Sequence, residues 1–154
     1  MIEIDEELRN EAIFILNQFF KQVNSYKSDG LFKVKPRAST KLVDLFLKLK
    51  ESKKVFFYGI INEKKQILSM LIAKVEERPF LEEEKIVYLE YAITRKGFEK
   101  LGLMKKLLAE LEKWTKKKSI AVIELRALSE NVEAVSFWKK QNYTDFYVRF
   151  RKRI

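Results

Sequence analysis

Between residues 8 and 23 the apolar side chains Leu8, Ala12, Ile15, Leu16, Phe19 and Val23 recur every three or four positions. That spacing places them on one stripe of an α-helix. Asp5 precedes the stripe as an N-cap, and Glu6 and Glu7 follow where the helix dipole favours negative charge. The pattern predicts a helix over 6–24. Gly30 and Pro36 interrupt the periodicity between 25 and 37, which reads as a connection. A second helix follows, with Leu42, Val43, Phe46 and Leu49 on one face and Ser39 or Thr40 near its start.

From 55 to 61 the chain is dominated by β-branched and aromatic residues, and after the turn at Asn62-Glu63-Lys64-Lys65 a second such run covers 67–75. The two predict an antiparallel hairpin. A charged stretch at 76–85, with Pro79 inside it, leads to a third strand over 86–94. The loop 95–101 then feeds a helix carrying Leu103, Leu107, Leu108, Leu111 and Trp114 at helical spacing. A fourth strand over 120–128, a short helix over 131–141 and a last strand over 144–152 complete the order α-α-β-β-β-α-β-α-β, with a short strand at 1–4 as an optional addition. The strand-helix-strand connection from 86 to 128 should be parallel and right-handed. The expectation is therefore an α/β (α+β) fold with a mixed sheet, in one domain spanning 1–154.

With 47% apolar and 35% charged residues, the composition is that of a folded globular chain. The sequence holds no Cys and no His. Nucleophilic Cys, His bases, Cys/His zinc sites and Ser-His-Asp triads are excluded, and no metal site is expected. Carboxylates, Tyr, Lys, Ser/Thr and backbone groups remain to carry any reaction. No apolar run approaches the ~20 residues that cross a bilayer, and the opening Met1-Ile2-Glu3-Ile4-Asp5 is not a secretion signal. A cytoplasmic protein without a membrane partner is expected. The net charge of +10 admits a solvated lysine surface, a polyanionic small ligand or nucleic acid.

Gly102 stands at the start of the third helix, with Lys100, Lys105 and Lys106 around it. A glycine there lets a ligand approach the backbone, and the first helical turn presents N–H groups without intrahelical acceptors, an arrangement suited to phosphate. The plainer reading is a loop glycine before a core helix. The segment is not a P-loop, because the Gly-Lys-Ser/Thr ending is missing, nor a dinucleotide fingerprint with three spaced glycines.

Further on stand Asn131, Ala134, Val135, Phe137, Trp138, Lys140, Asn142 and Tyr143. Their spacing resembles the closing pattern of the GNAT superfamily of N-acetyltransferases, which runs Asn, two residues, Ala, an aliphatic, one residue, an aliphatic or aromatic, Tyr or Trp, one residue, Lys, one residue, Gly, Phe. Asn142 replaces the Gly and Tyr143 the Phe. The predicted element order extends the resemblance over nearly the whole chain.

The resemblance implies an acetyl-CoA-dependent transfer to a primary amine of a small molecule or protein, with the pantetheine arm lying between the third strand and its parallel neighbour. It implies that backbone N–H groups of Ala92 and Ile93 polarise the thioester carbonyl. Lys100, Leu101, Gly102, Leu103, Met104 and Lys105 would then surround the phosphates, and Asn131, Ala134, Phe137, Trp138 and Lys140 would line the cofactor. Of the family's helix-start pattern (Gln or Arg, two residues, Gly, one residue, Gly or Ala), only the central glycine matches, because Glu99 and Met104 occupy the flanking positions. Glu90, twelve residues before Gly102, is the implied general base. Its alternative is a strand carboxylate paired with a neighbouring Lys or Arg.

The family's acid-bearing Tyr falls on Trp138, which leaves Tyr143 or Tyr147 as the proton donor. Trp138 equally suits the core, and Asn131 suits a helix cap. The acceptor is implied to enter across the first two helices and the hairpin, among Phe32, Arg37, Phe56, Tyr58 and the acidic residues Glu76, Glu77, Glu82, Glu83 and Glu84. Two alternatives stand beside this reading: a catalytically silent module of the same fold, and a basic nucleic-acid binder using Arg149, Arg151, Lys152 and Arg153. A homodimer is left open.

Overall fold

The structure, a computed structural model, describes residues 1–26, 33–150, 152 and 154. The Asp5 carboxylate accepts the Glu7 and Leu8 N–H groups at 3.0 and 3.3 Å, capping a 3-10 turn at Glu6–Leu8. Helix α1 (Arg9–Asn24) continues from it, followed by α2 (Ala38–Leu49). Among the described residues five strands form one sheet: β1 (Ile2–Glu3), β2 (Val55–Ile61), β3 (Ile67–Glu77), β4 (Lys85–Thr94) and β5 (Ile123–Leu125), paired in that order. All neighbours are antiparallel except β4 and β5, which are parallel and joined through α3 (Leu103–Lys117). Helix α4 (Val132–Lys140) follows β5. Among the described residues no helix is long and apolar enough to cross a membrane.

Strand alternation divides the core in two. Ile4, Phe57, Met70, Ile72 and Ile93 pack with α1 and α2, whereas Phe56, Leu71, Ala73, Val87 and Leu89 pack with Leu107, Leu108 and Leu111 of α3. Gly59 admits the N-terminal segment to this arrangement. A Cβ there would stand 2.8 Å from Ile4 Cδ1, so only glycine lets the Ile4 N–H reach Phe57 O at 2.9 Å.

The register of β4 breaks at one position. Ile72 pairs with Tyr91 and Ala73 with Leu89, leaving Glu90 as an extra residue in a β-bulge. The bulge reverses the alternation: Val87 and Leu89 face α3, but Tyr91 and Ile93 face α1 and α2.

Two sequence expectations are corrected here. The fourth strand pairs over Ile123–Leu125 rather than 120–128, because its ladder with β4 ends at Leu89↔Leu125, where the bulge bends β4. The strand expected over 144–152 is not formed at 144–150. Its β-prone residues lack a paired neighbour, without which strand propensity is not realised.

Candidate functional site

Beyond Leu89, β4 runs on to Thr94 with no β5 residue opposite it. The Ser69 hydroxyl donates to Ile93 O at 3.2 Å and the Arg95 N–H to Leu68 O at 2.8 Å, so the backbones of Ile93 and Arg95 face β3. Alternation then turns the backbones of Ala92 and Thr94 to the opposite edge, into the gap left by β5. Of the two N–H groups anticipated at the thioester, that of Ala92 faces this gap and that of Ile93 does not. Gln18 of α1 reaches the same edge, donating to Thr94 O at 3.3 Å and accepting the Lys96 N–H at 3.2 Å.

At the bulge, Glu90 is largely buried, its side chain 17% exposed, and its carboxylate meets the Lys74 ammonium at 2.7 Å. Lys74 follows Ile72 by two residues, which places the pair on the α1/α2 side of the sheet. Hydrogen bonding to Glu90 holds the Lys74 ammonium above the usual lysine range, against a smaller lowering by burial. Burial likewise pushes up the phenols of Tyr88 and Tyr91; the Glu90 charge adds to this and the Arg126 charge opposes it. Arg78 forks onto Glu124 of β5 at 2.9 and 2.8 Å. Tyr91 stands edge-on to Phe19, Phe20 and Phe46 within the α1/α2 layer.

The turn after β4 is fixed from its first residue. Arg95 ion-pairs with Glu11, donates to Ile67 O at 2.7 Å and lies 4.7 Å from the Phe14 ring centre. Gly97 and Lys100 both adopt left-handed conformations, with φ of 89° and 63°. The Glu99 carboxylate accepts the Gly97 N–H at 2.7 Å, so its charge is engaged within the turn. Gly102, at φ 74°, is the N-cap of α3, and the first helical turn contains no acidic residue. The first bond into the helix runs from the Lys106 N–H to Gly102 O at 3.2 Å, leaving the N–H groups of Leu103, Met104 and Lys105 without acceptors among the described residues. A Cβ on Gly102 would meet nothing within 4 Å. Lys100, Leu101 and Lys105 are exposed, while Met104 packs against the α3 core.

Asn131 caps α4, its side chain accepting the Ala134 N–H at 3.1 Å. Phe137 and Trp138 lean on the α3 cluster with ring centres 5.0 Å apart, and Lys140 is exposed. Asn142, standing where the family pattern has Gly, takes the left-handed conformation at φ 65°. The Tyr143 ring then packs 5.3 Å from Trp138. Burial pushes the Tyr143 phenol up to about 12, with the Glu112 charge adding to it. Tyr147, the other donor weighed, is exposed.

Phe56 and Tyr58, expected on the same side as the first two helices, lie on the other face of the sheet. Val55 and Phe57 alternate with them and take the α1/α2 face, so Phe56 and Tyr58 point toward α3. There they stack at 4.4 Å and border a cavity of about 120 Å³ with Glu110, Lys113 and Trp114, across the sheet from Glu90. Arg37 sits at the start of α2 with φ 62°. Phe32, Arg151 and Arg153 lie outside the described residues. The site residues that the sequence did not single out are Lys74, Gln18, Arg95 and Arg126. Each acts through a partner distant in sequence, and no local motif marks it.

The model of the acetyltransferase (GNAT) family matches residues 20–143. No curated protein matches the chain. Among solved structures, the tetramutant of the BH1408 protein from Bacillus halodurans is similar, with a TM-score of 0.84 at 15% identity over 100% of both chains. An aminoglycoside 6'-N-acetyltransferase from Acinetobacter haemolyticus has a TM-score of 0.72 at 16% identity, covering 99% of this chain and 97% of that one. AAC(6')-Iy, in complex with a bisubstrate analog, CoA-S-monomethyl-acetylneamine, has a TM-score of 0.73 at 12% identity, again over 99% and 97%. At these identities the structural likeness is one of fold, and the family match supplies the assignment. With an opened parallel strand pair, a bulge within it and a match over most of its length, the chain belongs to the GNAT family of acetyltransferases.

Proposed function

We propose that the chain is an acetyl-CoA-dependent N-acetyltransferase that passes the acetyl group directly to a primary amine of a small molecule or protein. The observation that carries this reading is the end of the β4–β5 ladder at Leu89↔Leu125, with Glu90 bulged at its base and the Gly102 turn beyond its top. The gap offers the Ala92 N–H to a carbonyl oxygen. The start of α3 offers free N–H groups, open space at Gly102 and Lys100 and Lys105 to a pyrophosphate. Leu101 and Leu103 flank that turn, and Asn131, Ala134, Phe137, Trp138 and Lys140 supply the α4 side. These groups fit a phosphorylated thioester.

An amine with a pKa near ~10 arrives as an ammonium and is not a nucleophile until it is deprotonated. Glu90 accepts that proton, directly or through one water. The free amine then forms its C–N bond to the thioester carbonyl carbon, and the Ala92 N–H stabilises the charge developing on oxygen, a role that can contribute ~3 kcal/mol. Breaking the C–S bond releases the thiolate, which takes up the proton lost by the new amide nitrogen. Tyr143 assists as a hydrogen-bond donor to sulfur. Its phenol, at about 12, does not transfer a proton outright to a thiolate whose conjugate acid lies near ~8.5. The chain contains no Cys to hold an acyl group, which favours one ternary complex over a covalent relay.

Calorimetric titration with acetyl-CoA tests the reading. Binding is expected, weakened roughly tenfold (about 1.4 kcal/mol) in Gly102→Asp; no binding, or identical binding by the variant, would remove the site. The second reading, a silent module of the same fold, draws on the Lys74–Glu90 pair, which occupies the base. Release of free CoA in the presence of a panel of amines separates the two.

A further inference from the structure

We propose that Arg126 binds the carboxylate of the acceptor, so that the amine acetylated beside Glu90 belongs to a free amino acid; this names the substrate class of the reaction proposed above and rests on that reading. Ile123 and Leu125 pack toward the α3 layer. Alternation turns Glu124 and Arg126 to the opposite face of the sheet, the one that carries Lys74 and Glu90. The β4–β5 ladder ends at Leu89↔Leu125, so Glu90 and Arg126 are the first residues past it on the two parting strands. They flank the base of the gap.

Two phenols locate the Arg126 charge independently. Burial raises the Tyr88 phenol, and the charges that act on it next are those of Arg126, Glu90, Glu76 and Glu124, in falling order. Arg126 and Glu90 act together on Tyr91 as well. The guanidinium, although exposed, therefore lies close to the bulge.

The charges on this face decide what can join them. Lys74 holds Glu90 at 2.7 Å and Arg78 forks onto Glu124, whereas Arg126 has no ion pair among the described residues. Glu76 pairs in register with Ile86, away from the gap. Lys74, Arg78 and Arg126 thus balance Glu76, Glu90 and Glu124. A bare alkylammonium arriving at Glu90 would add an uncompensated positive charge between Lys74 and Arg126, on a chain already at +10. An amino acid arrives neutral. Its ammonium meets Glu90 and its carboxylate takes the planar fork of Arg126. Paired strands stand ~4.8 Å apart, so a molecule a few atoms long spans the two groups.

Release of CoA from acetyl-CoA is measured with pairs of acceptors that differ by a carboxylate: glycine and methylamine, L-alanine and ethylamine, L-phenylalanine and phenethylamine. In at least one pair the amino acid should be the better acceptor, and Arg126→Gln should lower its kcat/KM about tenfold, through KM, while leaving that of the amine unchanged. Arg126 is exposed, so the variant keeps the fold. Arg126→Lys should retain part of the preference. Calorimetric titration of the same amino acid into the protein saturated with CoA reads the acceptor site without transfer, and Arg126→Gln should bind it about tenfold more weakly. Amines used as well as their amino acids in every pair, or an Arg126→Gln change that lowers both members equally, overturns the proposal and leaves acetyl transfer standing. Amino-acid binding that depends on Arg126, with no CoA released by any acceptor, overturns acetyl transfer and leaves the Arg126 site standing. Neither binding nor release overturns both.

Discussion

The Lys74 ammonium and the Glu90 carboxylate meet at 2.7 Å across the bulge that separates the two halves of β4. The pair holds the carboxylate at the base of the opened strand pair, and the hydrogen bond to Glu90 keeps Lys74 protonated. Glu90→Gln should lower kcat by ~10²–10⁴ while leaving acetyl-CoA affinity nearly unchanged. Lys74→Met should affect kcat less and cost about 1 kcal/mol of stability in urea. Loss of acetyl-CoA binding in Glu90→Gln would move the carboxylate from proton transfer to architecture.

Gly102 is required by its backbone rather than by crowding, since φ is 74° and a Cβ would meet nothing within 4 Å. Gly102→Ala should therefore destabilise by about 1–2 kcal/mol, and Gly102→Asn by less, because Asn tolerates the left-handed region. Urea melts of the two variants check the ranking; an Ala variant as stable as the parent would contradict it.

The Tyr143 phenol titrates near 12 in the folded chain against 10.0 as its ordinary value. The native state thus binds this proton more tightly than the unfolded state. Its contribution to stability is complete below about pH 10 and declines as pH rises through the folded value. Tyr143→Phe should be less sensitive than the parent to alkaline unfolding across that window, and the near-ultraviolet absorbance titration should lose its latest phase. Equal alkaline sensitivity in the two proteins counts against a buried phenol.

Ser39 is 2% exposed, and its hydroxyl has no hydrogen-bond partner among the described residues. Ser39→Ala removes an unsatisfied polar atom and improves helix propensity at the start of α2. A gain of about 1 kcal/mol, or about 2–4 °C in Tm, is expected. A lower Tm would show that the hydroxyl is satisfied.

The elements visible in the sequence are those whose pattern is local. Strand β2 occupies 55–61 as its composition predicts, and Asp5 caps the first helical turn because its acceptor oxygen and the receiving N–H groups are three residues apart or fewer. The face taken by Phe56 and Tyr58 was not legible, because Val55, Phe56, Phe57 and Tyr58 are apolar in succession and alternation has nothing to read. The bulge at Glu90 and its pairing with Lys74 arise from register between strands, which a single chain of letters does not carry. The gap above β5 follows from that bulge and was reached in the sequence only through the resemblance of Asn131 to Tyr143. Segment 144–150 has strand-like residues, but a strand needs a neighbour as well as a composition.

The extra residue at Glu90 makes β4 two strands of opposite parity joined end to end. A one-residue deletion at this point would make Leu89 and Tyr91 neighbours, leave Leu89 facing α3 and Tyr91 and Ile93 facing α1 and α2 as they do now, and straighten β4 against β5. A substitution at Glu90 changes only the group at the mouth of the gap; a deletion would close the gap itself, so the position of one residue in the count is as much a part of the site as any side chain in it.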